Sequence, residues 1–81
     1  MPLLDPEERD ALRQALGLDR AARPYRNHLP APGDDPLAGR LVERGFLQRG
    51  PATPGGLVIF QVTEAGARQL GTRLPGSDPG R

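Results

Sequence analysis

Apolar positions recur along this chain with two different periods, and the change of period marks its elements. Between Pro6 and Leu16, the residues Ala11, Leu12, Ala15 and Leu16 make one apolar stripe, while Glu7, Arg9, Asp10, Arg13 and Gln14 cover the rest of the circumference. That spacing predicts an amphipathic helix. Asp5-Pro6-Glu7-Glu8 is a strong start for it, with Asp5 as the cap, Pro6 at the first helical position and Glu8 placed to close a capping box. Gly17 ends it. Leu37, Leu41 and Val42 repeat the helical spacing behind a second start, Asp34-Asp35-Pro36, and Gly45 stops that helix. The period then changes to two. Phe46 and Leu47 begin a strand, and Leu57 to Val62 is a stronger one, with Val58, Phe60 and Val62 on one face and Leu57, Ile59 and Gln61 on the other. Between them Gly50 to Gly56 reads as a long turn, because Pro51, Pro54 and the Gly55-Gly56 pair oppose a regular ladder. Thr63 caps a last helix over Glu64 to Leu70, and Gly71 closes it.

The segment from Asp19 to Asp35 contains Pro24, Pro30, Pro32 and Gly33, which predicts an extended loop with one helical turn near Leu18 to Ala22. The expected fold is therefore α+β: about three helices and a two-stranded hairpin, joined by a long proline-rich loop. This order is that of a small winged-helix-like domain. LVERGFLQR followed by VIFQVTEAGARQL, within residues 36–71, resembles the end of the winged-helix domain in MarR-like and PadR-like regulators. The resemblance implies DNA binding and a role in transcription regulation, with the hairpin loop as the wing and the helix from Pro36 to Arg44 as the recognition helix. A DNA-binding winged helix ordinarily carries three helices before its wing. Here the proline-rich segment stands where one of them belongs. With PYRNH at its centre, the whole chain also resembles small proteins encoded in phages and prophages, which implies the cytoplasm of a bacterial or phage-infected host cell.

Composition narrows the functional classes. At 81 residues the chain is one small domain, expected over residues 1–71, with a flexible Pro/Gly tail over 72–81. It has no cysteine, so neither a disulfide framework nor a thiolate metal site is available. No apolar run approaches membrane-spanning length, and no signal-peptide pattern opens the chain. A monomer is expected, because only one short helix precedes the winged segment and the tail is rich in breakers. The net charge of +1 hides an uneven distribution. Met1 to Asp19 holds two arginines against five acids, whereas Arg20 to Gly33 holds three arginines, a histidine and no acid. Pro36 to Arg73 has five arginines against Glu43 and Glu64. All eleven basic residues are arginine, the better fork for phosphates.

The candidate site is the middle loop, with Arg20, Arg23, Tyr25, Arg26 and His28. Arginines beside an aromatic ring are the chemistry that holds phosphates and stacks on bases. A structural role is the competing expectation: Tyr25 and Leu29 would anchor a long loop and Asn27 would bond to backbone, with the arginines solvated. Arg40 and Arg44, four apart on the second helix, and Arg49 at the base of the wing complete the candidate contacts. Asp34 and Asp35 stand at the N-terminal end of that helix and would repel phosphate. Catalysis is not expected. One histidine and a single serine, Ser77 in the tail, do not assemble a nucleophile with a positioned base. Asp5, Glu8, Asp34, Asp35 and Glu64 are each accounted for at helix starts, and no metal, cofactor or small-molecule substrate is implied. Two partner classes remain as expectations: DNA or another nucleic acid, or a protein, with docking through the exposed face of the Leu57 to Val62 strand, through Tyr25 or through the tail.

Overall fold

Local signals at each helix end set where the elements begin and stop. In the computed structural model, which describes residues 4–75, the chain runs α1 (Pro6–Leu16), β1 (Leu29–Pro32), α2 (Pro36–Glu43), β2 (Leu47–Ala52), β3 (Leu57–Val62) and α3 (Glu64–Gln69). The Asp5 carboxylate accepts from the Glu8 amide at 2.9 Å, and the Glu8 carboxylate accepts in return from the Asp5 amide at 3.1 Å. This reciprocal pair satisfies two amides that the helix itself leaves unpaired. Asp35 accepts from the Ala38 amide at the start of α2, and Thr63 from the Gly66 amide at the start of α3. Gly17, at φ 82°, closes α1 in the left-handed conformation that glycine adopts without steric cost. The chain is thus an α+β fold of three helices and a three-stranded antiparallel sheet among the described residues.

The third strand departs from the two-stranded hairpin expected from sequence. The order is β1-β3-β2, so β1, drawn from the proline-rich segment, is an edge strand beside β3. Leu29 pairs with Phe60, Pro30 with Ile59, Ala31 with Val58 and Pro32 with Leu57. Backbone amides alternate sides along a strand, so two prolines spaced two apart place both missing N–H groups on the outer edge. Leu29 and Ala31 supply the donors to β3, and the prolines leave that outer edge without donors at those positions. The expected turn of Gly50 to Gly56 is also shorter. β2 continues through Gly50 and Pro51 to Ala52, with a register shift between Arg49 and Ala52 that absorbs the proline as a bulge. A side chain at position 50 would strike the Ile59 carbonyl oxygen, so the bulge needs a residue without a Cβ. The turn itself is held by the Thr53 amide donating to the Leu57 carbonyl at 2.7 Å and the Leu57 amide to the Thr53 hydroxyl at 3.1 Å.

One face of the sheet is buried. Leu47, Val58, Phe60 and Val62 meet Ala11, Leu12, Ala15 and Leu16 of α1, Ala38 and Leu41 of α2, and Ala67 of α3 in a single apolar cluster that Leu4 and Phe46 complete. Phe60, Leu12, Leu16 and Leu41 are wholly enclosed. Every member of the apolar stripe read on α1 is buried, as are the three alternating residues of β3. Leu70 and Leu74 pack partly buried against the same cluster. Of the tail expected over residues 72–81, residues 76–81 lie outside the described residues. None of the described helices is long and apolar enough to cross a membrane.

Candidate functional site

The segment between α1 and β1 has little regular structure of its own, yet backbone hydrogen bonds tie it down at both ends. The Arg20 and Ala21 amides both donate to the Gly17 carbonyl at 3.1 Å, which makes the single turn expected near Leu18 to Ala22. Further on, the Tyr25 amide donates to Leu16 O and the His28 amide to Ala15 O. These bonds occupy carbonyls in the last turn of α1 that the helix leaves free. Asn27 fastens the other end. Its side-chain amide donates to the Val62 carbonyl at 3.0 Å and its carbonyl accepts from the Val62 amide at 2.7 Å, so a side chain takes the place of a strand partner for β3. This is the backbone-bonding role expected of Asn27, but across thirty-five residues rather than within a local turn.

These restraints present the basic and aromatic side chains at the C-terminal end of α1. The Tyr25 ring rests on Gly17, where an added Cβ would collide with it, and the residue remains 54% exposed. Arg26 lies 5.5 Å from the ring centroid, donates through Nη2 at 2.8 Å and Nε at 3.1 Å to the Gln14 carbonyl, and stands 3.6 Å from Asp19. Arg13, which sequence reasoning left on the solvent side of α1, belongs to the same surface, because its guanidinium donates to the Leu18 carbonyl at 3.1 Å. Its position in the last helical turn before the loop was the available signal. Arg20 and Arg23 are exposed, and their side chains make no hydrogen bond or ion pair among the described residues. His28 is exposed as well and is held through its backbone. Between Arg13 and His28 four arginines face a single acid, Asp19, and no further acid occurs before Asp34.

The other candidate arginines are placed differently. Arg44 at the end of α2 donates to the Glu8 carboxylate at 2.8 Å, and its guanidinium lies 5.2 Å from the Phe46 ring centroid. Arg40 approaches the second Glu8 oxygen at 3.7 Å. Arg40 and Arg44, expected as contact residues, are thus turned toward the start of α1. Glu8 explains this. It is 4% exposed, and a carboxylate so enclosed requires cationic partners. Its apolar neighbours at i+3 and i+4, Ala11 and Leu12, put Glu8 on the buried side of the helix, a signal present in the sequence but overshadowed by its capping role. Arg49 donates to the Gly33 carbonyl at 3.0 Å and lies 5.5 Å from the Phe60 ring centroid, which ties β2 to the β1–α2 turn across the core side of the sheet. The structure thus brings Arg13, Tyr25 and Arg26 together around residues 14–19, sets Arg20 and Arg23 on the same loop, and leaves Arg40, Arg44 and Arg49 at other places. Among the described residues no three acidic or histidine side chains are grouped to hold a metal ion.

The outer face of the sheet is of another character. Leu57, Ile59 and Gln61 of β3 share it with their cross-strand partners Pro32, Pro30 and Gln48, and none of these residues carries a charge. Leu57 is 38% exposed. Compared with models of protein families, with curated proteins and with solved structures, the chain finds no match in any of the three.

Proposed function

We propose that this chain is a small, non-enzymatic, winged-helix-like module that binds nucleic acid through the loop following α1. The observation that carries the reading is the set of arginines at that loop: Arg20 and Arg23 extend into solvent beside an exposed tyrosine, on a backbone already pinned to α1 and β3. A pinned loop loses little conformational entropy when it binds, which favours contact over simple solvation. The segment resembling MarR-like and PadR-like regulators gives the β2–β3 turn the place of a wing and α2 the place of a recognition helix. On this chain neither suits a duplex. The turn Thr53-Pro54-Gly55-Gly56 holds no cation, Asp34 and Asp35 precede α2, and its two arginines engage Glu8. A regulatory role in a bacterial or phage-infected cytoplasm follows as part of the same proposal.

The test is binding of the purified protein to labelled mixtures of random-sequence duplex DNA, single-stranded DNA and RNA at about 50 and 200 mM salt, the range in which phosphate contacts declare themselves. Salt-sensitive binding to any of them supports the reading, and absence of binding to all of them at low salt overturns it. The uncharged outer face of the sheet supports a second reading, a protein-interaction or assembly module of a phage- or prophage-encoded chain. That reading expects binding to a protein partner that is insensitive to salt and is lost on replacing Leu57 with a charged residue.

A further inference from the structure

Resting on that reading, we infer that the ligand of the α1–β1 loop is single-stranded nucleic acid, with Tyr25 as the stacking platform and Arg13, Arg20, Arg23 and Arg26 along the backbone path. A duplex is read by inserting a helix or ribbon into a groove. The helix that the resemblance would put in that place, α2, has 8 residues, is preceded by two carboxylates and commits its arginines to an enclosed glutamate. A single strand needs something else: an exposed π-face flanked by cations on a surface without acids. The loop offers the nearest arrangement to this, a ring 54% exposed with the Arg26 guanidinium 5.5 Å over it and Asp19 as the one acid beside it. Tyr25 is one of only two large apolar side chains exposed among the described residues, and the sequence from Arg20 to Gly33 has no acid. Gly17 packs against one side of the ring, which gives it a seat to rest on when a base arrives. Asp19, the one acid nearby, is within 3.6 Å of Arg26, which offsets its repulsion of a phosphate.

Composition makes the test direct. Tyr25 is the sole tyrosine and there is no tryptophan, so the intrinsic emission of the protein reports this one ring. The full-length chain is titrated with an oligothymidylate, an oligouridylate and a duplex, each of about 20 nucleotides per strand, while oligonucleotide anisotropy and tyrosine emission are recorded together. The single strands are expected to bind at least tenfold tighter than the duplex and to quench Tyr25. With four phosphates neutralised, affinity for a single strand should fall about fiftyfold between about 50 and 200 mM salt, and in the Arg20→Ala/Arg23→Ala variant only about sevenfold. Those two side chains are exposed and make no hydrogen bond or ion pair among the described residues, so the double variant is expected to keep its structure. Tyr25→Phe should bind like the parent, and Tyr25→Ala should lose tenfold or more, matching the worth of one stacked base. Duplex binding as tight as single-strand binding, or single-strand binding with no change in Tyr25 emission, overturns the inference while leaving a nucleic-acid function standing. No binding to any oligonucleotide overturns both. Preference between the thymidylate and the uridylate decides whether the strand is DNA or RNA.

Discussion

Two groups of arginines in this chain look alike in sequence and are put to opposite uses. Arg40 and Arg44, on α2, remain 53% and 36% exposed in their side chains, yet both are directed at the Glu8 carboxylate. Arg20 and Arg23, on the α1–β1 loop, have no partner among the described residues. The difference is made by what lies beneath. Glu8 is enclosed by the packing of α1 and demands cations, and α2 ends where it can deliver them. Among the described residues no acid lies enclosed beneath the loop, which is held by backbone bonds, by Asn27, and by Arg13 and Arg26 bonded to the Leu18 and Gln14 carbonyls. Exposure alone therefore does not tell a contact residue from a structural one, whereas commitment to an enclosed acid does.

The largest stability effect should come from the support of the loop rather than from either arginine group. Asn27→Ala would leave the Val62 amide and carbonyl unpaired at a residue that is 1% exposed, at a cost of about 2–3 kcal/mol. Chemical denaturation would measure it. If the loss is only a few tenths of a kcal/mol, the loop is not pinned and the contrast between the two regions weakens. Glu8→Ala comes next, at about 2 kcal/mol, because it removes one arm of the capping box together with the shared partner of Arg40 and Arg44. Restoring the side-chain oxygen with Glu8→Gln should recover the capping part alone. A Glu8→Ala variant as stable as the parent would mean that the α2 arginines do not depend on it.

Gly17→Ala sharpens the comparison from the loop side. Left-handed backbone costs a non-glycine residue about 1–2 kcal/mol, and the new methyl group must also displace the Tyr25 ring. The expected result is lowered stability together with a changed Tyr25 emission. A loss of stability with unchanged emission would show that the ring does not depend on its seat over Gly17.

Most of the elements were legible because their signals are local. The caps at Asp5, Asp35 and Thr63, the stripe of Ala11, Leu12, Ala15 and Leu16, and the alternation of Val58, Phe60 and Val62 each act within a few residues, and each appears where the pattern puts it. The missed features depend on partners far along the chain. Pro30 and Pro32 read as breakers until β3 is beside them, since only an edge position makes their missing amides harmless. Pro51 reads as the end of a strand until the bulge after Arg49 carries the ladder past it. The candidate site divides in the same way. The basic character of the loop is composition and could be read directly. The commitment of Arg40 and Arg44 to Glu8 spans more than thirty residues, and no spacing along α2 announces it.

The smallest stability effects should separate the two arginine groups most cleanly. Arg44→Ala removes a hydrogen bond to a carboxylate that is only 4% exposed and should cost about 1 kcal/mol, moderated by the solvent that already reaches the guanidinium. Arg40→Ala, at 3.7 Å and more exposed, should cost under about 0.5 kcal/mol. Arg20→Ala/Arg23→Ala should lie within about 0.5 kcal/mol of the parent, because both side chains are exposed and make no hydrogen bond or ion pair among the described residues. Binding should rank these variants in the reverse order, with the double loop variant losing about half of its salt slope for nucleic acid and the α2 variants retaining theirs. Denaturation and anisotropy on the same three proteins check the ranking. If the α2 variants lose binding at unchanged stability while the loop variant keeps it, α2 is the contact surface after all, and the Glu8 bridge must open when a phosphate arrives.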